Sequence, residues 1–350
     1  MKKLVLILVL TFALSGVFVS NVFAADKLNP TPENPVILRF SDALNPGHQS
    51  AVGAKEWCQY IEENSGGRIK TQFFDTGSLY AENKVLEAVM MGMCEGCQML
   101  SSNLCATFPE WEMTTLPGMM DSIELYSKVA DGEIGAKLME GLERGGLKGL
   151  VFVPIAAPKP LYGTGYVTKT HFIKVPADFR GLKLRVVYPG DAAIINKYGG
   201  VPVSIPGGET FMALQLGTID GTSTGFQQFK ERKFHETGAI YYTVCPLKGG
   251  QVYITLLNKN FFDKLPSDLQ ILLLESGKAI IDVGRRQALM VEAATDNYQY
   301  AIDNGVLVYQ LTPEDLAAWE EDIKQVVETA KAKSPVLKEI IEMAEETLTD

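Results

Sequence analysis

The chain has 350 residues, 46% of them hydrophobic, and a formal net charge of −10. That apolar share is enough for substantial cores and excludes a disordered chain. The acidic balance, with no basic stripe to offset it, repels phosphate backbones and anionic lipid and excludes nucleic acid as a partner.

Residues 1–24 have the pattern of a secretory signal peptide. Lys2 and Lys3 precede an apolar run from Leu4 to Val19, and Val22-Phe23-Ala24 has the small residues of a cleavage site. The run is shorter than the ~20 residues of a spanning helix, and no later segment is apolar for long enough to span. An uncleaved anchor is the alternative. No Cys follows the run, so a lipid anchor is not indicated. Export to the periplasm with cleavage near Ala24 is expected, leaving a chain long enough for two domains.

Val36 to Ser41 reads as a first strand, ended by Asn45-Pro46-Gly47. A helix follows from Gln49 to Asn64, with Val52, Trp57 and Ile61 inward, and stops at Ser65-Gly66-Gly67. Ile69 to Phe74 is a second strand. Ala81 to Met91 is a second helix, with Val85, Leu86, Val89 and Met90 on its apolar face. This alternation predicts parallel strands joined by crossover helices. It recurs through Leu150–Pro154, Leu182–Val187, Gly190–Tyr198 and Thr210–Gly217, so the fold class is α/β with two lobes. A long helix is predicted from Leu265-Pro-Ser-Asp268 to Asn304, continuous or broken, with Leu269, Leu272, Leu273, Ile280 and Val283 at helical spacing. Thr312-Pro313-Glu314-Asp315 starts another helix, with Thr312 as cap and acids in the first turn, ending near Lys333. Pro335 to Asp350 reads as a terminal surface helix.

The five cysteines are an odd number, so in an oxidising compartment at least one stays free or pairs between chains. Cys94-Glu-Gly-Cys97 has the CxxC spacing without the helix start that activates a redox thiol. A lone CxxC with no nearby His also makes poor zinc ligation. Buried or locally paired cysteines are expected.

Arg185 ends the stretch Asp178-Phe-Arg-Gly-Leu-Lys-Leu-Arg185. A guanidinium fixed on a strand after a tight Gly turn can grip a carboxylate through two parallel charge-assisted hydrogen bonds. Downstream stands Pro206-Gly-Gly-Glu209, and then Ala213-Leu-Gln-Leu-Gly-Thr-Ile-Asp-Gly221. Earlier come Ser65-Gly-Gly-Arg-Ile-Lys70, Phe74-Asp-Thr-Gly-Ser-Leu79 with Glu82, and Leu116-Pro117-Gly118. Phe261-Phe-Asp-Lys-Leu-Pro266 precedes the long helix. In this order, over most of the mature chain, these segments resemble the solute-binding proteins of TRAP (tripartite ATP-independent periplasmic) transporters, DctP type.

The resemblance implies a two-lobe α/β fold with a hinge and a long helix crossing both lobes. The first lobe would take residues 36–160 plus 250–290, and the second 161–249 plus 291–350. It implies a monomer that captures a small carboxylate in the cleft and delivers it to membrane permease subunits. Arg185 is the position that pairs with the ligand carboxylate. Two departures matter. Many sialic-acid and dicarboxylate binders carry a second, upstream Arg in a Gly-Phe-Arg segment, whereas Tyr162–Thr168 has none and the nearest cation is Lys169. That favours a monocarboxylate or a zwitterion. After Asp220-Gly221 the chain has Thr222-Ser-Thr-Gly-Phe226. Hydroxyls there replace the carboxylate that helps hold a metal in some relatives, so no metal or cofactor is expected.

Ser223 and Thr224 are candidate ligand contacts, with Phe226 as an aromatic wall and Gln227 as an amide. Tyr188 would line the cleft or pack in the core. Glu209 would brace Arg185 or answer a helix dipole as a first-turn acid. Ser102 follows a strand of the first lobe, where sheets present ligands at strand ends. His48 faces the cleft or caps its helix at the surface. Enzyme signatures are thin: the three histidines lack ligand spacing, and no GxSxG, P-loop or His-Glu-x-x-His is present. A binder is expected rather than an enzyme, with a ligand-sensing subunit or an enzyme on the same scaffold as the alternative.

Overall fold

The computed structural model describes residues 27–117, 119, 123–155, 164–186, 189–244, 251–280 and 294–349. The expected signal peptide, Tyr188, Cys245, Val283 and the middle of the expected long helix lie outside them.

The strands, in chain order, are β1 (Val36–Asp42), β2 (Ile69–Phe74), β3 (Gly96–Leu100), β4 (Leu147–Ile155), β5 (Thr164–Thr168), β6 (Lys183–Arg185), β7 (Val201–Val203), β8 (Gly221–Gly225), β9 (Tyr241–Val244), β10 (Gln251–Asn258) and β11 (Leu307–Gln310). They form a five-stranded sheet, β2-β1-β3-β10-β4, and a six-stranded sheet, β11-β9-β5-β8-β6-β7. Each sheet with its helices makes one lobe.

Parallel pairing, expected throughout, holds for β1 with β2 and β3, for β6 with β7 and β8, and for β11 with β9. The sheets are nevertheless mixed, because β10 and β5 run antiparallel to their neighbours. The cause is the double crossing of the chain between lobes. β5 and β10 each enter a sheet from the interlobe side and must run away from it. The strands beside them run toward the gap, so Asp42, Leu100, Arg185 and Thr224 all come to lie at its edge.

The helix Gln49–Asn64 packs on the first sheet through Ala51, Ala54, Trp57, Cys58 and Ile61, all buried. Val52, expected inward, is 42% exposed, because it falls just outside that stripe. The second helix is confined to Val85–Met90, with Val85 and Val89 buried and Leu86 and Met90 packed beside them. Of the expected long helix, Ser267–Ile280 packs Leu269 and Leu273 on the first lobe, and residues 294–303 are again helical. Thr312 caps as expected: its hydroxyl accepts from Asp315 N at 3.1 Å, and Asp315 accepts in return from Thr312 N. That helix is short, Pro313–Ala317, and a second begins at Glu320.

The helix Glu320–Lys331 joins the lobes and the helix after it packs on the first, whereas both are expected in the second. Trp319 and Ile323 sit in a second-lobe core with Phe179 and Leu184, whereas Val327 and Ala330 of the same helix, Glu320–Lys331, belong to the first-lobe core. The helix Pro335–Thr349 keeps its polar face at the surface and sinks its apolar face into the first lobe. Leu337, Ile340, Ile341 and Ala344 are fully buried against Trp111, Leu138 and Leu142. Each such Leu or Ile contributes about 1.5–3 kcal/mol by burial, which outweighs the polar face visible in sequence. Ion pairs mark both attachments: Lys197 to Asp322 and Lys333 to Glu112, each at 2.6 Å.

Candidate ligand-binding site

Between the lobes lies a cleft whose walls come from both sheets. The second lobe contributes Arg185, Ser223, Thr224, Gln228 and Arg232 to its wall. Gly181, at φ +79°, makes the tight turn that leads into β6 and places Arg185 at the strand's end. Arg185 Nε donates to the Ile205 carbonyl at 3.1 Å, which fixes the plane of the guanidinium. Ser223 is fully buried and Thr224 nearly so on β8, hydrogen-bonded between β5 and β6.

Arg232 went unrecognised in the sequence. It caps the C-terminus of the helix Phe226–Glu231, and Gln228 and Arg232, four apart, share the face turned to the cavity. Arg232 Nη1 donates to the Gly207 carbonyl at 2.5 Å. A Cβ at Gly207 would stand 2.5 Å from that same nitrogen, so the glycine of Pro206-Gly-Gly-Glu209 admits the guanidinium. Burial pulls Arg232 below its ordinary pKa, while Glu82 and Glu231 act to raise it.

Asp42, Glu82, Gln98 and Tyr253 face these groups from the first lobe. Asp42, at the end of β1, accepts from Leu44 N at 2.9 Å and from Gln98 Nε2 at 3.1 Å. Burial raises its pKa to about 7 against the lowering effect of both bonds. Glu82 accepts from Asn103 Nδ2 at 3.2 Å.

Residues 40–334 match the family model of the bacterial extracellular solute-binding proteins, family 7, designated DctP. The chain belongs to that family. It is similar to the C4-dicarboxylate-binding periplasmic protein DctP of Rhodobacter capsulatus, 27% identical over 305 residues that cover 85% of this chain and 87% of the relative. Two solved TRAP periplasmic solute-binding proteins share the fold. One, from Sulfitobacter sp. NAS-14.1 with bound β-D-galacturonate, is 21% identical at a TM-score of 0.80 and is covered over 89% of this chain and 99% of its own. The other, from Shewanella oneidensis with bound succinate, is 22% identical at 0.79, over 90% and 99%. The chain is thus a DctP-type TRAP binding protein with the two-lobe α/β fold.

Of the residues singled out in sequence, Arg185, Ser223 and Thr224 lie on the cavity wall. Phe226 does not: it is 4% exposed and stacks on Tyr242 at 4.1 Å inside the second-lobe core. Gln227 donates to Glu231 at 3.1 Å, and its neighbour Gln228 takes the wall position because one helical step turns the side chain by about 100°. Glu209 is exposed in the turn Gly207–Glu209, ahead of the helix Thr210–Gln215, as a first-turn acid would be. Ser102 Oγ is buried without a hydrogen-bond partner among the described residues, outside the cavity lining. His48 does cap the helix Gln49–Asn64, its Nδ1 accepting from Ser50 N at 3.1 Å, but it is buried rather than at the surface. Its ring meets Tyr253 edge-on at 5.5 Å. Burial and nearby Arg232 hold its pKa at about 4, so it is neutral at physiological pH. Lys169 spans to the Leu214 carbonyl at 2.6 Å and plays no part in the cavity. Lys169 thus supplies no second cation; the other guanidinium at the cavity is Arg232, on which Glu82 and Glu231 act.

Cys58, Cys94, Cys97 and Cys105 are free and buried, and burial raises every one of these thiols above its usual pKa. They are poor nucleophiles for that reason.

The raised Asp42 predicts a pH dependence. Folding retains a proton that the unfolded chain loses above about pH 4, so this stabilisation is complete at low pH and is lost as pH rises through about 7. The span is on the order of 4 kcal/mol. His48 acts oppositely between about pH 4 and 6.5, so the comparison must be between variants. Relative to wild type, Asp42→Asn should gain stability as pH rises from 4 to 8 in urea denaturation. Parallel curves would show that Asp42 ionises freely in the folded protein.

Proposed function

We propose that the chain is the extracytoplasmic binding subunit of a TRAP transporter. It captures a small organic acid, a monocarboxylate or a zwitterion, in the cleft and delivers it to the membrane permease. The observation that carries this is the convergence of Arg185 and Arg232 on one cavity bounded by both lobes. Arg185 takes the carboxylate, since a closing cleft must not leave that charge unpaired and its planar fork matches the two oxygens. Ser223, Thr224 and Gln228 complete the shell, and closure presents a surface to the permease. The named relatives and neighbours bind C4-dicarboxylate, galacturonate and succinate, all of them carboxylates. Solute-binding transport proteins are also the company in which an enzyme would be out of place.

Native mass spectrometry of the protein purified from an exporting host tests this directly. Denaturation should release a small carboxylic acid, chemically unchanged. A chemically converted ligand would transfer the chain to the enzymes, and a released neutral compound would overturn the carboxylate assignment.

A further inference from the structure

The second-lobe wall explains how a carboxylate is held but leaves the opposite wall without a task. That wall is acidic: Asp42 and Glu82 both face the cavity. Gln228 adds to the acceptors, since its Nε2 donates to Glu231 while its Oε1 is buried with no hydrogen-bond partner among the described residues. Arg232 also lines the cavity, where Glu82 and Glu231 compete with a ligand for its charge. Arg185 is the cation that faces the cavity from the sheet.

We infer that Asp42 and Glu82 are the specificity determinants of the cleft, selecting a monocarboxylate that carries hydroxyl groups at its far end and rejecting a second carboxylate there. This rests on the proposed capture of a carboxylate by Arg185. A second carboxylate would meet two acids and an orphaned carbonyl oxygen, and like charges brought together in a desolvated site are strongly disfavoured. A hydroxyl donates to those same oxygens. The acceptors are spread over both lobes, which suits donors distributed along a carbon chain better than an ammonium that presents its donors at one point.

Matched ligands test the inference by isothermal titration calorimetry at pH 8. The pairs are 4-hydroxybutyrate and succinate, glycerate and tartronate, and gluconate and glucarate, each differing only in a terminal hydroxymethyl or carboxylate. In any pair that binds, the monoacid should bind at least about tenfold more tightly. Glu82→Gln and Asp42→Asn should each narrow that gap by admitting the diacid, with the fold checked by circular dichroism. Glu82 is only partly buried, so its variant carries the test should Asp42→Asn misfold. A diacid that equals or beats its partner, or a gap unchanged in a folded variant, would overturn the inference while leaving carboxylate capture intact. Tighter binding of 4-aminobutyrate than of 4-hydroxybutyrate would overturn the hydroxyl assignment. Silence from all these acids would bring down carboxylate capture itself, and the inference with it.

Discussion

Arg185→Ala should weaken ligand binding by about 2–5 kcal/mol, a loss of about thirtyfold or more, while the fold keeps its stability. Most of that cost is the penalty of enclosing a carboxylate that has lost its partner. Lys at this position should recover only part of the affinity, because an ammonium on a flexible stem cannot form two parallel bonds. Calorimetric titration of the natural ligand and urea denaturation of the empty protein separate the two effects. The side chain is half-buried, and the Nε bond to Ile205 ties it to the loop after β7, a modest contribution to the fold. Near-normal affinity in the alanine variant would remove Arg185 from the mechanism. An equally large loss of stability would make it a structural residue.

Trp319→Ala should cost about 3–5 kcal/mol of stability, as expected when a fully buried indole is deleted from a packed core. Trp319 is 1% exposed, meets Phe179 edge-on at 5.6 Å, and donates its indole N–H to the Lys174 carbonyl at 2.8 Å. It stands at the start of the helix Glu320–Lys331, whose far half is embedded in the other lobe. The substitution should therefore also loosen the coupling of the lobes. Trp319→Phe, which keeps most of the packing and loses the hydrogen bond, should fall between the two. Urea midpoints followed by far-UV circular dichroism measure the order of the series. A cost below about 1 kcal/mol for the alanine variant would mean that the site collapses around the gap and that the indole is no anchor.

The alternation of strands and helices was legible because apolar periodicity and the Gly and Pro stops are local. Arg185 was legible for the same reason: a Gly turn, a short strand and a guanidinium are adjacent in the chain. Arg232 was not, since Lys230-Glu231-Arg232-Lys233 reads as a solvated charged face. What buries its guanidinium is the approach of Gly207, distant in sequence, and a paired glycine does not announce which side chain it will admit. Gln227 and Gln228 are one residue apart, and the phase of the helix decides which of them faces the cavity. Asp42 gave no signal because an acid after a strand is a common turn residue; its significance lies in facing the other lobe. The mixed sheets and the placement of the C-terminal helix likewise follow from chain crossings that no local pattern records.

The burial of Leu337, Ile340, Ile341 and Ala344 beneath the first lobe bears on how the protein is made. Synthesis and translocation deliver the amino end first, yet the earliest lobe cannot close its core until the final helix emerges. β10, which lies between β3 and β4, also arrives late. A chain that stops short of Pro335–Thr349 thus lacks one wall of its first core, which that helix latches shut.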